Sequence, residues 1–168
     1  IKKKKFIKIF LILCFQSNKS IILDKNLMRE RTGNFFKSYK LNEVKNKINV
    51  KFFSSHNCKA CIDYIKKNKL DFLFNAGVTS KLKEPILKAT KGVINIHPGI
   101  LPMYRGCNCV EWAIYNNDYV GNSAHFMTKN YDAGPIIRIE KYNFFKKYDY
   151  KQIRIGVYSK SIKLLSKV

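Results

Sequence analysis

Asn95-Ile96-His97-Pro98-Gly99 and, further along, His125 and Asp132-Ala133-Gly134-Pro135 are the residues of this chain best equipped for chemistry. An amide, an imidazole and a carboxylate supply donors for a developing oxyanion and groups that take and return a proton. Singly each has a plainer use, since Asn before His forms turns and Asp before Ala-Gly closes hairpins. Their combined setting, one strand-to-loop junction in an apolar stretch, is what points to a site. Pro98 and Pro102 stiffen the loop, so the groups are placed before a ligand arrives.

The elements that must hold these groups are read from period and punctuation. A strand over 48–53, capping chemistry in Ser54-Ser55-His56-Asn57, a helix over 58–67 and a short buried strand over 71–74 make one βαβ unit. Thr79 or Ser80 caps a helix over 81–89, and the apolar run 92–96 is the strand that delivers Asn95. A helix over 108–115 follows, with Trp112 assigned to the core and Glu111 to solvent. Strands over 122–127 and 135–139 are joined by the Asp132-Ala133-Gly134 turn, and 150–165 is a closing helix. Upstream, residues 6–15 are a buried element, 20–23 a short strand and 24–49 mostly loop. The order implies an α/β fold: a Rossmann-like, mostly parallel sheet with helices on both faces and ligands at the carboxyl ends of the strands.

With 168 residues, 46% of them hydrophobic, the chain is about one domain long. Its formal charge is +22, yet only five of the 33 basic residues are Arg. Dispersed lysine suits a solvated surface better than a nucleic-acid groove, where the guanidinium fork is favoured, although the field would help a phosphorylated substrate. No stable nucleic-acid partner is expected. Five cysteines, an odd number without regular spacing, argue for reduced thiols and a cytoplasmic setting. Cys58 and Cys61 with Cys107 and Cys109 could be assembled into a four-thiolate zinc site. Against that, Cys58, Cys61, Ile62 and Ile65 share a helical face and the second pair has a one-residue gap, so no metal is expected. Lys2 to Lys5 followed by the apolar 6–15 has the regions of a secretory signal. Ile12 and Leu13 stand where cleavage needs small residues, and the run is shorter than the roughly 20 residues of a membrane span, so no membrane is expected.

Four blocks carry a family resemblance: Asn95-x-His97-Pro98, Leu101-Pro102-x-Tyr104-Arg105-Gly106, Gly121-x-x-x-His125 and Asp132-x-Gly134-Pro135-Ile136-Ile137. In order and spacing, residues 48–139 resemble the formyltransferases that use 10-formyltetrahydrofolate, which act on glycinamide ribonucleotide, methionyl-tRNA or nucleotide-sugar amines. The resemblance implies one catalytic domain over 1–168, whose completeness at either end is open; the chain begins at Ile1 rather than Met, as a fragment missing its start would. It implies Asn95, His97 and Asp132 as the catalytic set, Gly77, Leu101 and Gly134 at the folate donor, and Tyr104, Arg105 and His125 at the amine. Arg105 could instead brace its loop, and His125 could be a structural histidine. The first βα unit looks truncated or altered, because residues 6–15 lie too close to a strand at Ile21 for a parallel crossover.

For formyl transfer, the Asn95 amide and a ring N–H of His97 would meet the oxyanion, each such donor being worth about 3–4 kcal/mol. Asp132 would orient His97, favour its imidazolium and relay the proton. Tyr104-Arg105-Gly106 with Cys109-Val110-Glu111-Trp112-Ala113-Ile114 look most like enzymes formylating amino sugars on nucleotides for polysaccharide assembly. A methionyl-tRNA enzyme would need a nucleic-acid-binding domain that residues 135–168 are too few to form. A hydrolase giving the formyl group to water, and a non-catalytic polyanion-binding protein, are the other readings. Oligomeric state is open.

Overall fold

The structure, a computed structural model, describes residues 10–14, 18–35, 43, 45, 47–78, 80–143 and 148–168. Strand β1 (Phe10–Cys14) pairs in parallel with β2 (Asn49–Phe53), Phe10 opposite Asn49 and Cys14 opposite Phe53. Between them lies helix α1 (Asn18–Thr32), which replaces the strand expected at 20–23 and much of the expected loop. Leu, Met, Lys, Arg and Glu continue the segment without Gly or Pro until Gly33, whose positive φ of 60° and N–H bond to the Arg29 carbonyl end the helix. The crowding that makes the first unit look cut short came from that strand; β1, α1 and β2 form a βαβ unit. Lys2 to Lys5 and residues 6–9 of the signal-like segment lie outside the described residues.

Helix α2 (Lys59–Lys67) follows β2 and buries Cys61 and Ile65 against Leu82, Ile86 and Val93, with Cys58 and Ile62 packed at the edge. Its N-cap is Cys58 rather than a residue of 54–57, and no side chain caps it. Asn57 reaches across instead: its Nδ2 donates to the Lys81 carbonyl at 2.9 Å and its Oδ1 accepts from the Lys83 N–H at 2.7 Å. That clamp holds 81–83 extended, and Pro85 sets the start of α3 (Glu84–Leu87), much shorter than the helix expected over 81–89. Thr79 lies outside the described residues.

Strand β3 (Phe72–Asn75) is an edge strand, parallel to β4 (Gly92–His97). It is not the buried strand expected: Leu73 packs on the α2 core while Phe72 and Phe74 are exposed. Strands β5 (Val120–Phe126) and β6 (Ile136–Tyr142) continue the sheet in antiparallel sense, so the Rossmann-like α/β arrangement carries a mixed sheet. Helix α4 (Cys109–Tyr115) and the closing helix α5 (Tyr150–Leu165) complete a second core, in which Ile153 and Val157 meet Ile100, Tyr104, Val110, Ala113, Val120 and Tyr142. Asp149 and Gln152 cap α5 reciprocally through side chain and backbone. Cys61 belongs to the first core and Cys109 to the second, which separates the two pairs considered for zinc. Among the described residues no helix is long and apolar enough to cross a membrane.

Two α4 residues depart from expectation. Trp112 is not core, because α4 turns Cys109, Val110 and Ala113 inward and leaves the indole 57% exposed. Glu111 is not simply solvated: it accepts from Arg154 Nε at 2.9 Å and from the Tyr150 hydroxyl at 2.6 Å, and Arg154 is 2% exposed. Removing one partner of a buried ion pair strands the other, at a cost of roughly 3–5 kcal/mol. Glu111→Ala is therefore expected to cost about 3 kcal/mol, the low end because the carboxylate edge meets water, while Trp112→Ala stays within about 0.5 kcal/mol; urea unfolding of both checks this.

Candidate active site

Strand period places Asn95 and His97 on one face of β4, and antiparallel pairing sets His125 opposite Asn95 and Ser123 opposite His97. Past the end of β5 the chain turns through Asp132, whose φ of 47° folds its carboxylate back over that face. Gly134 fits there because a Cβ would lie 1.8 Å from the Phe126 carbonyl oxygen, and the Phe126 N–H bonds the Pro135 carbonyl at 2.9 Å. One carboxylate oxygen of Asp132 accepts from the Gly106 N–H at 2.9 Å and stands 3.5 Å from His97 Nδ1. The other stands 3.5 Å from His125 Nε2, which also meets Asn95 Nδ2 at 3.3 Å.

Partners assign the tautomers of both rings. His97 Nε2 is 2.8 Å from the Tyr104 carbonyl and His125 Nδ1 is 3.0 Å from the Phe126 carbonyl, and a carbonyl accepts only, so those nitrogens carry the hydrogens. The other nitrogen of each ring, His97 Nδ1 and His125 Nε2, then faces Asp132. A proton entering this cluster is held between the carboxylate and a ring nitrogen.

His97 does not favour the imidazolium as expected. Burial lowers its pKa and outweighs the opposing pull of Asp132 and the Tyr104 carbonyl. Nor does its N–H face an oxyanion position, since Tyr104 takes it and the ring is buried behind Asp132. Burial alone would raise the Asp132 pKa, but contacts with His125, the Gly106 N–H and His97 hold it below the ordinary value.

Asn95, His125 and Asp132 line a cavity of about 190 Å³, together with Asn75 and apolar walls from Val78, Leu82 and Met127. Asn75 was missed from sequence. It is the β3 register partner of Asn95 and donates to its Oδ1 at 3.1 Å, so a polar residue closing the run Phe72-Leu73-Phe74 was the available signal. Its own Oδ1 accepts from the N–H groups of Gly77 and Val78, which fixes Gly77, at φ 94°, beside the cavity. Leu101 is buried and its N–H donates to Ser123 Oγ at 3.0 Å. The Tyr104 hydroxyl is turned to Asp118 and Asn116, away from the cavity, and Arg105 is exposed on the loop. Among the described residues no group of three His, Cys, Asp or Glu is placed to hold a metal.

Residues 22–168 match the formyl transferase family. The chain belongs to that family. It is 39% identical over 105 residues to the bifunctional polymyxin resistance protein ArnA of Wigglesworthia glossinidia brevipalpis, covering 61% of this chain and 16% of that one. It is 34% identical over 97 residues to the methionyl-tRNA formyltransferase of Mycoplasmopsis pulmonis, covering 56% and 34%. It is 46% identical over 54 residues to the GDP-perosamine N-formyltransferase of Brucella melitensis biotype 1, covering 32% and 21%. The chain thus spans about a third or less of each relative's length. Glycinamide ribonucleotide transformylase 1 from Symbiobacterium toebii superposes with a TM-score of 0.68 at 17% identity, covering 96% of this chain and 84% of that one. The formyltransferase PseJ from Anoxybacillus kamchatkensis, solved with a UDP-linked formamido sugar and tetrahydrofolate, gives a TM-score of 0.62 at 17% identity over 94% and 72%. At that identity the structures establish the shared fold.

Since folding depresses the His97 pKa, the unfolded chain binds that proton more tightly, and stability is lost as pH falls through the ordinary histidine range near about 6.5. The urea midpoint is expected to be lower at about pH 5.5 than at about pH 7.5, with His97→Gln flattening the difference. Asp132→Asn removes the anion that opposes burial, so the His97 Cε1 proton should titrate at still lower pH by NMR.

Proposed function

We propose that this chain transfers a formyl group from 10-formyltetrahydrofolate to the primary amine of an amino sugar carried on a nucleotide. The observation that carries the reading is the convergence of Asn95, His125 and Asp132 on one cavity, with His97 buried behind the carboxylate. The cavity fits the reacting end of such a donor, because polar groups gather at its floor while Val78, Leu82 and Met127 offer apolar walls to a flat ring. Gly77, Leu101 and Gly134 would shape its backbone side, and the donor supplies the activated formyl carbon.

The chain's own groups divide the remaining work. Asn95, oriented by Asn75 and His125, donates an amide N–H toward the oxygen that gains charge. Asp132 takes the proton of the attacking amine and holds it against His97 Nδ1 or His125 Nε2 until the departing nitrogen needs it. His97, tied to the Tyr104 carbonyl, keeps the acid in place and accepts part of the charge. The lysine-rich surface would draw in a diphosphate, and Arg105, exposed on the catalytic loop, is available to meet it. The similarity to a GDP-perosamine N-formyltransferase supports the sugar-nucleotide choice, while the methionyl-tRNA relative supports formyl transfer more generally. The odd, irregularly spaced cysteines and the folate donor of this reading support a cytoplasmic enzyme acting on a small molecule.

Incubation with 10-formyltetrahydrofolate and a panel of amines tests this. A formamido sugar nucleotide is the expected product; transfer to methionyl-tRNA or glycinamide ribonucleotide but no sugar would reject the substrate, and formate released without any amine would favour the hydrolase. Asn95→Ala is expected to lower turnover about 10²–10³-fold with the circular dichroism unchanged. A polyanion-binding protein would instead show steeply salt-dependent RNA affinity that Asn95→Ala leaves untouched.

A further inference from the structure

Cys58-Lys59-Ala60-Cys61 stands outside the cavity, at the start of α2, and the proposed transfer uses neither cysteine. Cys58 occupies the N-cap in extended conformation, and Cys61 sits at the third helical position, its N–H bonded to the Cys58 carbonyl at 3.1 Å. Residues three apart across a helix start lie on one face. The two differ in access. Cys58 is half-buried at the positive end of the helix, whereas Cys61 is fully buried in the α2 core.

Their acidities diverge accordingly. The backbone at Cys61 holds the Cys58 pKa below the ordinary thiol value against a smaller effect of burial, with Ser55 and Ser54 adding to the pull. Burial pushes the Cys61 thiol up to about 11, and the neighbouring Cys14 and Cys58 add to it. Cys14, at the end of β1, is raised by burial and by Cys58. Core packing encloses Cys61 completely, whereas Cys58 at the edge of the same core keeps part of its surface open at the helix start. An accessible, readily ionised thiol with a buried protonated partner is the division of labour that thiol–disulfide exchange needs.

We propose that Cys58 and Cys61 form a redox-active dithiol in which Cys58 is the attacking sulfur and Cys61 the resolving one, oxidised by a low-molecular-weight disulfide. The Cys58 thiolate attacks one sulfur of the disulfide, forming a mixed disulfide and expelling one thiolate. Cys61 loses its proton and attacks the Cys58 sulfur, closing the Cys58–Cys61 bond and expelling the second thiolate. The protein gives up two electrons and two protons, and the small disulfide becomes two thiols.

The test equilibrates the full reduced chain in glutathione and glutathione-disulfide mixtures, quenches with acid and maps free thiols by alkylation and peptide mass. Labels on Cys58 and Cys61 are expected to disappear together as one two-electron couple, while Cys109 stays labelled. In the reduced chain near neutral pH, iodoacetamide should modify Cys58 about tenfold or more faster than Cys61 or Cys14. Cys61→Ser should trap glutathione on Cys58, which the natural chain does not accumulate; if that variant fails to fold, the titration of the natural chain decides alone. Persistence of both labels through the oxidising end of the series, or pairing of Cys58 with Cys14, overturns the proposal.

Discussion

The carboxylate of Asp132, standing between two imidazoles whose other nitrogens are tied to backbone carbonyls, is the constraint on which the site depends. Tyr104 and Phe126 each tie up one ring nitrogen, and the other nitrogen of both rings faces the same acid. The acid in turn is pinned by the Gly106 N–H and by a turn in which Gly134 presses on the Phe126 carbonyl. Loop, strand and turn therefore hold one another, and the β4–β5 register underlies them all. A one-residue slip of β5 would carry His125 to the opposite face and leave Asn95 and Asp132 without their partner.

Burial decides how that cluster is charged. The surface carries a large positive excess, yet His97 is held toward the neutral form because the cost of desolvating a cation exceeds what Asp132 returns. Asp132 stays ionised because a backbone N–H and the ring contacts replace the water it has lost. A ring held toward the neutral form beside an ionised carboxylate is ready to take a proton.

The two hydrophobic cores flank β4 and reach it at different points. Val93 near its start packs on α2, while His97 at its end lies against Tyr104 and Cys109 of the α4 and α5 core. The ionic link between buried Arg154 and Glu111 ties α5 to α4, whose first residue, Cys109, touches the His97 ring. Cys61 anchors α2, and Asn57 just ahead of that helix clamps the chain that forms one cavity wall.

Sequence alone determined what depends on local period and on residue chemistry. The bounds of α5, the apolar strand feeding Asn95, the hairpin turn at Asp132 and the family blocks were all legible, because a repeat of hydrophobicity or a turn residue signals its role without reference to distant partners. Tertiary structure decided the rest. Residues 18–23 suit a strand or a helix until their neighbours are known. Trp112 and Glu111 took opposite environments from those their types suggested, since α4 turns Cys109, Val110 and Ala113 to the core and Arg154 of α5 reaches Glu111. Asn75 joined the site through strand pairing, and the charge of His97 followed from how much water its neighbours excluded. Which groups meet and how far they are desolvated are properties of packing between segments remote in the chain, and no local pattern encodes them.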